Sequence, residues 1–190
     1  MPEPQPRSEA LWRRRALLAL GAWSALPTRA SAATPPPEVA SDWPAARLQG
    51  QGPLRVWGLH ICDLRLWTAA PALGPDNWAR TPLALEIEYA RALSGQRIAE
   101  RSLAEMRRGG PIDATTAERW LAEMARLFPD VRAGDRITGH HRPGEGPRFT
   151  HNGRDRGELR DAPFGPRFFG IWLAPTTSEP TLRSALLGSA

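Results

Sequence analysis

The chain has 190 residues, room for one ordinary domain and a segment to spare. All 25 basic residues are arginine; residues 1–32 hold five of them against two acids, leaving 20 arginines interspersed with 18 acids and no basic face for a nucleic acid. One cysteine, Cys62, excludes an internal disulfide and a multi-cysteine metal centre.

Residues 1–32 read as an export signal. The basic cluster Arg13–Arg15 precedes an apolar stretch over 16–26, and Ala30-Ser31-Ala32 fits a cleavage site. That stretch is shorter than the ~20 helical residues a bilayer requires, so the mature chain is expected to have no membrane span. Arg13-Arg14 also fits a twin-arginine signal, so either the general secretory or the twin-arginine route would deliver the protein to the periplasm. Residues 33–44, with Pro35-Pro36-Pro37, predict an extended tether. The domain is expected over 45–190.

Two strands are predicted over 45–58 and 59–69, turning at Gly58, with a loop over 71–82. LALEIEY (83–89) alternates strictly: Leu83, Leu85, Ile87 and Tyr89 share one face, Glu86 and Glu88 the other, as in a half-buried strand. Ser94 is a helix N-cap, with Ile98, Leu103 and Met106 facing inward and Gly109-Gly110-Pro111 ending the helix. Thr115 or Thr116 caps a second helix over 117–128, burying Trp120, Leu121, Met124 and Leu127. Strands return over 135–142 and 148–152, Asn152-Gly153 makes a turn with positive φ at both positions, and 157–159 pairs briefly. FGPRFFGIWL (164–173) predicts an aromatic helix and 181–187 a closing one. The fold class is α+β, helices layered on an antiparallel sheet.

The segment 48–67, LQGQGPLRVWGLHICDLRLW, is the most informative. Gly50 and Gly52 punctuate a hairpin whose apolar run carries one cation, Arg55. Such a residue is read as the anchor for a carboxylate or phenolate in a cleft, or else as the partner of an acid such as Asp63, since an unpaired buried charge is very costly. Cys62 is a small buried hydrophobe, or a nucleophile if His60 serves it. Tyr89, the lone tyrosine, packs in the core with its hydroxyl at the rim or offers a phenol to the cleft. His140, His141 and His151 are read as solvated hairpin residues, so no metal is expected. No phosphate-binding loop or dinucleotide fingerprint occurs, so no cofactor is expected.

The motifs GxGxLRVWG (50–58), LSGQRIAERSLAEM (93–106), GDRITG (134–139), RPGEGPRFTHNGR (142–154) and FFGIWLAP (168–175), in that order, resemble the chalcone isomerase-like family, in its bacterial exported branch. The resemblance implies an open-faced β-sandwich: a large antiparallel sheet, a layer of helices, and a ligand cleft between them. It places Arg55 at the position of the isomerase arginine, which stabilises developing negative charge. Ile98 stands where the isomerase has a tyrosine, Glu105 where it has an asparagine, and Cys62 near its hydroxyl-bearing strand residue. The expectation is therefore a non-catalytic protein holding a hydrophobic anionic small molecule such as a fatty acid. Arg55 would take the head group, with Leu59, Cys62, Trp67, Tyr89 and Ile98 about the cleft. The alternatives are an isomerase or intramolecular lyase acting on an enone, with Arg55 as electrostatic catalyst, and an envelope protein with a vestigial cleft.

Overall fold

A computed structural model describes Met1 and residues 33–188. The export signal read over 1–32 lies outside the described residues. Six strands form one antiparallel sheet in sequence order: β1 (Arg47–Val56), β2 (Leu59–Thr68), β3 (Leu83–Tyr89), β4 (Arg136–His141), β5 (Arg148–His151) and β6 (Arg154–Glu158). Each strand pairs with the next, so the sheet is a meander with tight β1–β2 and β5–β6 hairpins, a loop over 69–82 between β2 and β3, and a longer excursion between β3 and β4. That excursion holds α2 (Gly95–Met106) and α3 (Ala114–Leu127). The helices α4 (Phe164–Leu173) and α5 (Pro180–Leu187) follow the last strand. No helix among the described residues is long and apolar enough to cross a membrane.

The alternation in β3 sets the two faces. Leu83, Leu85, Ile87 and Tyr89 join Cys62, Leu64 and Leu66 of β2 in the main core, under α2–α5. Five phenylalanines fill this layer at its β4–β5 side: Phe128, Phe149, Phe164, Phe168 and Phe169, in edge-on, tilted and stacked contacts with centroids 5.1–5.8 Å apart. Helix α2 starts where Ser94 accepts from the Arg97 N–H, as the sequence predicts. Helix α3 starts earlier than expected. Asp113 accepts from the Thr116 N–H and is the cap, rather than Thr115 or Thr116.

Gly50 and Gly52 have a packing role. A Cβ on Gly50 would meet the carbonyl oxygens of Ala185 and Leu186, and one on Gly52 would lie 2.8 Å from Leu182 Cδ1. The glycines let α5 lie directly on β1, where it buries Leu182, Leu186 and Leu187.

The second face is covered too, and here the expectation fails. Residues 33–44 are not an extended tether throughout: Pro37 sits in the first turn of a short helix, α1 (Pro37–Asp42), where its missing N–H costs nothing. Val39 packs with Ala46, Trp67 and Ala84 in a small separate core, and Glu38 is buried. Glu86 therefore lies under cover, at 3% exposure, rather than on a solvated strand face. Strand β6 also begins earlier and runs longer than the brief pairing expected at 157–159.

Candidate ligand-binding site

The hairpin between β1 and β2 outruns the sheet. β3 reaches along β2 only as far as Cys62, which lies opposite Tyr89, so residues 55–61 project past the last paired row. A register shift between Leu54 and Arg55 sets Arg55 opposite His60. Leu54 packs on the main core, and strand alternation turns its neighbour Arg55 to the opposite face. Arg55 is exposed and has no acidic partner among the described residues. Asp63, the partner considered for it, takes His60 instead (Nε2 to Oδ1, 3.1 Å). The expectation of a guanidinium aimed into a dry hollow is thus corrected: Arg55 stands in solvent at the rim. The apolar run around it is too narrow and too far beyond the sheet to enclose it.

The other expected site residues divide three ways. Cys62 and Tyr89, cross-strand partners on the helix-facing side, are brought together and buried at 2% and 6% exposure. Ile98 of α2 is half-buried and packs on the same core. Leu59 is 53% exposed at the hairpin tip. Trp67 is not near them. It faces the α1 side, donates to Glu86 Oε2 (2.7 Å), and lines an open groove with Arg65, Glu86 and Arg136 beneath Pro35–Pro37.

Neither reactive group on the helix side is poised for chemistry. Burial, with the nearby Asp63 charge adding to it, pushes the Cys62 thiol up to about 12. Burial, then the Cys62 charge, pushes the Tyr89 phenol above its ordinary value. Both stay protonated at neutral pH. His60, the base a Cys62 nucleophile would need, is committed to Asp63. Glu105, at the asparagine position of the isomerase pattern, is held by Arg101 (2.6 Å) and accepts from Ser178 Oγ (3.0 Å), tying α2 to the loop before α5.

Sequence reasoning missed the charged layer beneath α1. Glu38 Oε1 accepts from Arg136 (2.9 Å) and Thr138 Oγ1 (3.2 Å). Glu86 Oε1 and Glu88 Oε2 both accept from Arg65 Nη1 (2.8 and 2.9 Å). Asp42 Oδ2 accepts from Arg148 (2.8 Å) and Arg142 (3.2 Å) and lies 2.9 Å from His140 Nδ1. That last approach is not aligned as a hydrogen bond, and the carboxylate is already claimed by two guanidiniums. Burial alone would raise the Asp42 value, but Arg148, His140 and Arg142 outweigh it and hold the carboxyl below its usual range. His140, at 0% exposure, goes the other way. Burial and then Arg148 depress it to about 4, against the pull of Asp42 and Glu38, so it is neutral at pH 7. His141, at 1% exposure, is depressed by burial against Phe169 and bonds the Ala79 carbonyl (2.9 Å). The reading of both as solvated hairpin residues is overturned. The signal available in the sequence was register: pairing β2 with β3 sets Arg65 opposite Glu86. Among the described residues, no cluster of His, Cys, Asp and Glu could hold a metal ion.

The family model described as chalcone isomerase-like matches residues 68–188. The chain belongs to the chalcone isomerase-like family. It is similar to an uncharacterized protein of Haemophilus influenzae, 33% identical over 133 residues, which make up 70% of this chain and 63% of that relative. The chain thus spans less than two thirds of that relative's length. Among solved structures it is similar to the crystal structure of an Arabidopsis thaliana fatty-acid binding protein, with a TM-score of 0.57 and 11% identity over 76% of this chain and 88% of that one. At that identity the likeness shows a shared fold. The six-stranded antiparallel sheet with its helix layer is therefore the family's α+β architecture, as the sequence motifs imply.

Proposed function

We propose that this family member is an exported, non-catalytic binding protein for a hydrophobic small molecule with an anionic head, a fatty acid being the simplest case. The observation that carries the reading is the state of the helix-facing row at the hairpin end. Leu54, Cys62, Tyr89 and Ile98 offer apolar contact, and the two groups capable of chemistry are held protonated. The fold shared with a fatty-acid binding protein supports the same reading. On it, the tail lies along that row, and its entry requires Leu54 and Ile98, both only partly buried, to part. The head group stays at the rim, where the exposed guanidinium of Arg97 stands in the first turn of α2 and that of Arg55 reaches round the hairpin edge from the opposite face. Leu59 flanks the entrance, and Trp67 takes no part.

Native mass spectrometry of the purified protein, with extraction of what it carries, tests this. The expected result is a bound carboxylate amphiphile, lost or weakened about tenfold in Arg55→Ala through loss of a charge-assisted contact. No bound amphiphile, or consumption of chalcones and related enones seen as loss of their long-wavelength absorbance, overturns the reading.

A further inference from the structure

The hairpin tip has a property that the binding reading does not use. Trp57 is 96% exposed and Leu59 53% exposed; apart from Met1 they are the exposed large apolar side chains of the described residues. Trp57 also sits at φ 49°, followed by Gly58 at φ 79°, a turn with positive φ at both central positions. The same turn recurs at Asn152-Gly153, with φ 50° and 79°, where asparagine fits it well. A bulky residue in that conformation is a backbone outlier. The chain thus presents an indole to solvent at the tip of its longest hairpin, in a position that asparagine would fill with less strain.

Positive charge accompanies the tryptophan. Arg55, Arg91 and Arg97 are exposed at this end of the sheet and have no acidic partner among the described residues. Other guanidiniums without an acid are in part taken up by backbone carbonyls, as Arg47, Arg156, Arg167 and Arg183 are; those with one include Arg65, Arg101, Arg119 and Arg136. The acids at this end keep their charge but are turned to other partners: Asp63 to His60, Asp130 to the Gly95 N–H, and Asp135 to the Arg132 N–H and Asn152.

We propose that the β1–β2 tip docks the protein on an anionic lipid surface. Trp57 and Leu59 enter the interface while Arg55, Arg91 and Arg97 meet the phosphates. An indole is suited to the headgroup level because it is apolar with one polar edge. Arginine near an anionic leaflet is attracted within a Debye length. A two-residue apolar tip is far smaller than the roughly 800 Å² per partner of a stable protein interface, which favours a membrane over a protein. The proposal shares Arg55, Arg97 and Leu59 with the proposed binding site, but Trp57 belongs to it alone, so Trp57→Asn tests it apart from what the helix-facing row binds.

Co-sedimentation of the full chain with phosphatidylcholine vesicles, with and without about one third phosphatidylglycerol, tests it. Residues 1–32 are common to every variant, so differences between variants read the tip. The wild type is expected to bind the anionic vesicles more tightly than the neutral ones, and added salt should weaken that binding. Trp57→Asn should lower partition at least about tenfold while unfolding at the same or a higher temperature, because Asn-Gly suits the turn. Arg55→Gln and Arg91→Gln should each cost about fivefold on anionic vesicles alone. Equal binding by Trp57→Asn, or indifference to phosphatidylglycerol, overturns the proposal. So does a wild-type dimer in light scattering that Trp57→Asn dissolves, since the occupant of the tip would then be a second copy of the chain.

Discussion

Lowering the pH should destabilise the fold through His140, and the size of the effect follows from its site. The imidazole, carried on β4, is wholly buried beneath α1, 5.7 Å from the Trp43 ring, with Arg148 and Arg142 sharing its carboxylate neighbour. In the unfolded chain it takes a proton near 6.5; in the folded protein it resists until about 4. Because the folded value is the lower one, the unfolded state binds more protons throughout that window, and stability falls as pH falls. The contribution is intact above 6.5 and lost by about 4. At ~1.4 kcal/mol per tenfold change in proton affinity, the loss is on the order of 3 kcal/mol, a large fraction of a small domain's stability. Urea unfolding at intervals between pH 7.5 and 4 measures it, with His140→Phe as the comparison. The variant should show a clearly shallower decline over the same window. Some slope will remain, because His141 is buried with a depressed value and adds to it. Asp42, held below the usual carboxylate range, loses its contribution only at still lower pH, as protonation breaks its bonds to Arg148 and Arg142. If His140→Phe declines as steeply as the wild type, the reading of a neutral histidine sealed beneath α1 is wrong.

Gly50→Ala should cost about 1–3 kcal/mol by urea unfolding, because the new methyl group drives α5 off β1 or strains both backbones; an unchanged midpoint would contradict the close seating of α5. Cys62 should react with a disulfide reagent at least about a thousandfold more slowly than an ordinary thiol in the native protein, and at the ordinary rate in urea. Fast native labelling would show that the helix-facing row is open to water.

Much of the architecture was local and so legible. The strict period of two in LALEIEY gives β3, the Ser94 cap gives α2, and Asn152-Gly153 gives the turn between β5 and β6. What escaped was non-local. Nothing near Pro35-Pro36-Pro37 says that Glu38 will bond Arg136 and Thr138, about a hundred residues away, so the segment reads as a tether. Burial of Glu86 and His140 follows from that docking and is invisible in their own strands. Arg55 is a different case. The alternation that puts Leu54 inward already turns Arg55 outward, but the apolar residues around it suggested an enclosed wall where the hairpin has run past the sheet. The family motifs were legible because they mark turns and caps. The apolar row at the hairpin end was not, because its members come from β1, β2, β3 and α2 together.

The account rests on an apolar row that accepts a hydrophobic tail and a charged rim that accepts its head. Titrating the delipidated protein with palmitate and with methyl palmitate, followed by calorimetry, tests both halves at once. The account predicts saturable one-to-one binding of the acid and binding of the ester at least about tenfold weaker, the difference being the charge-assisted contact at the rim. Binding of neither, or of both alike, would contradict it.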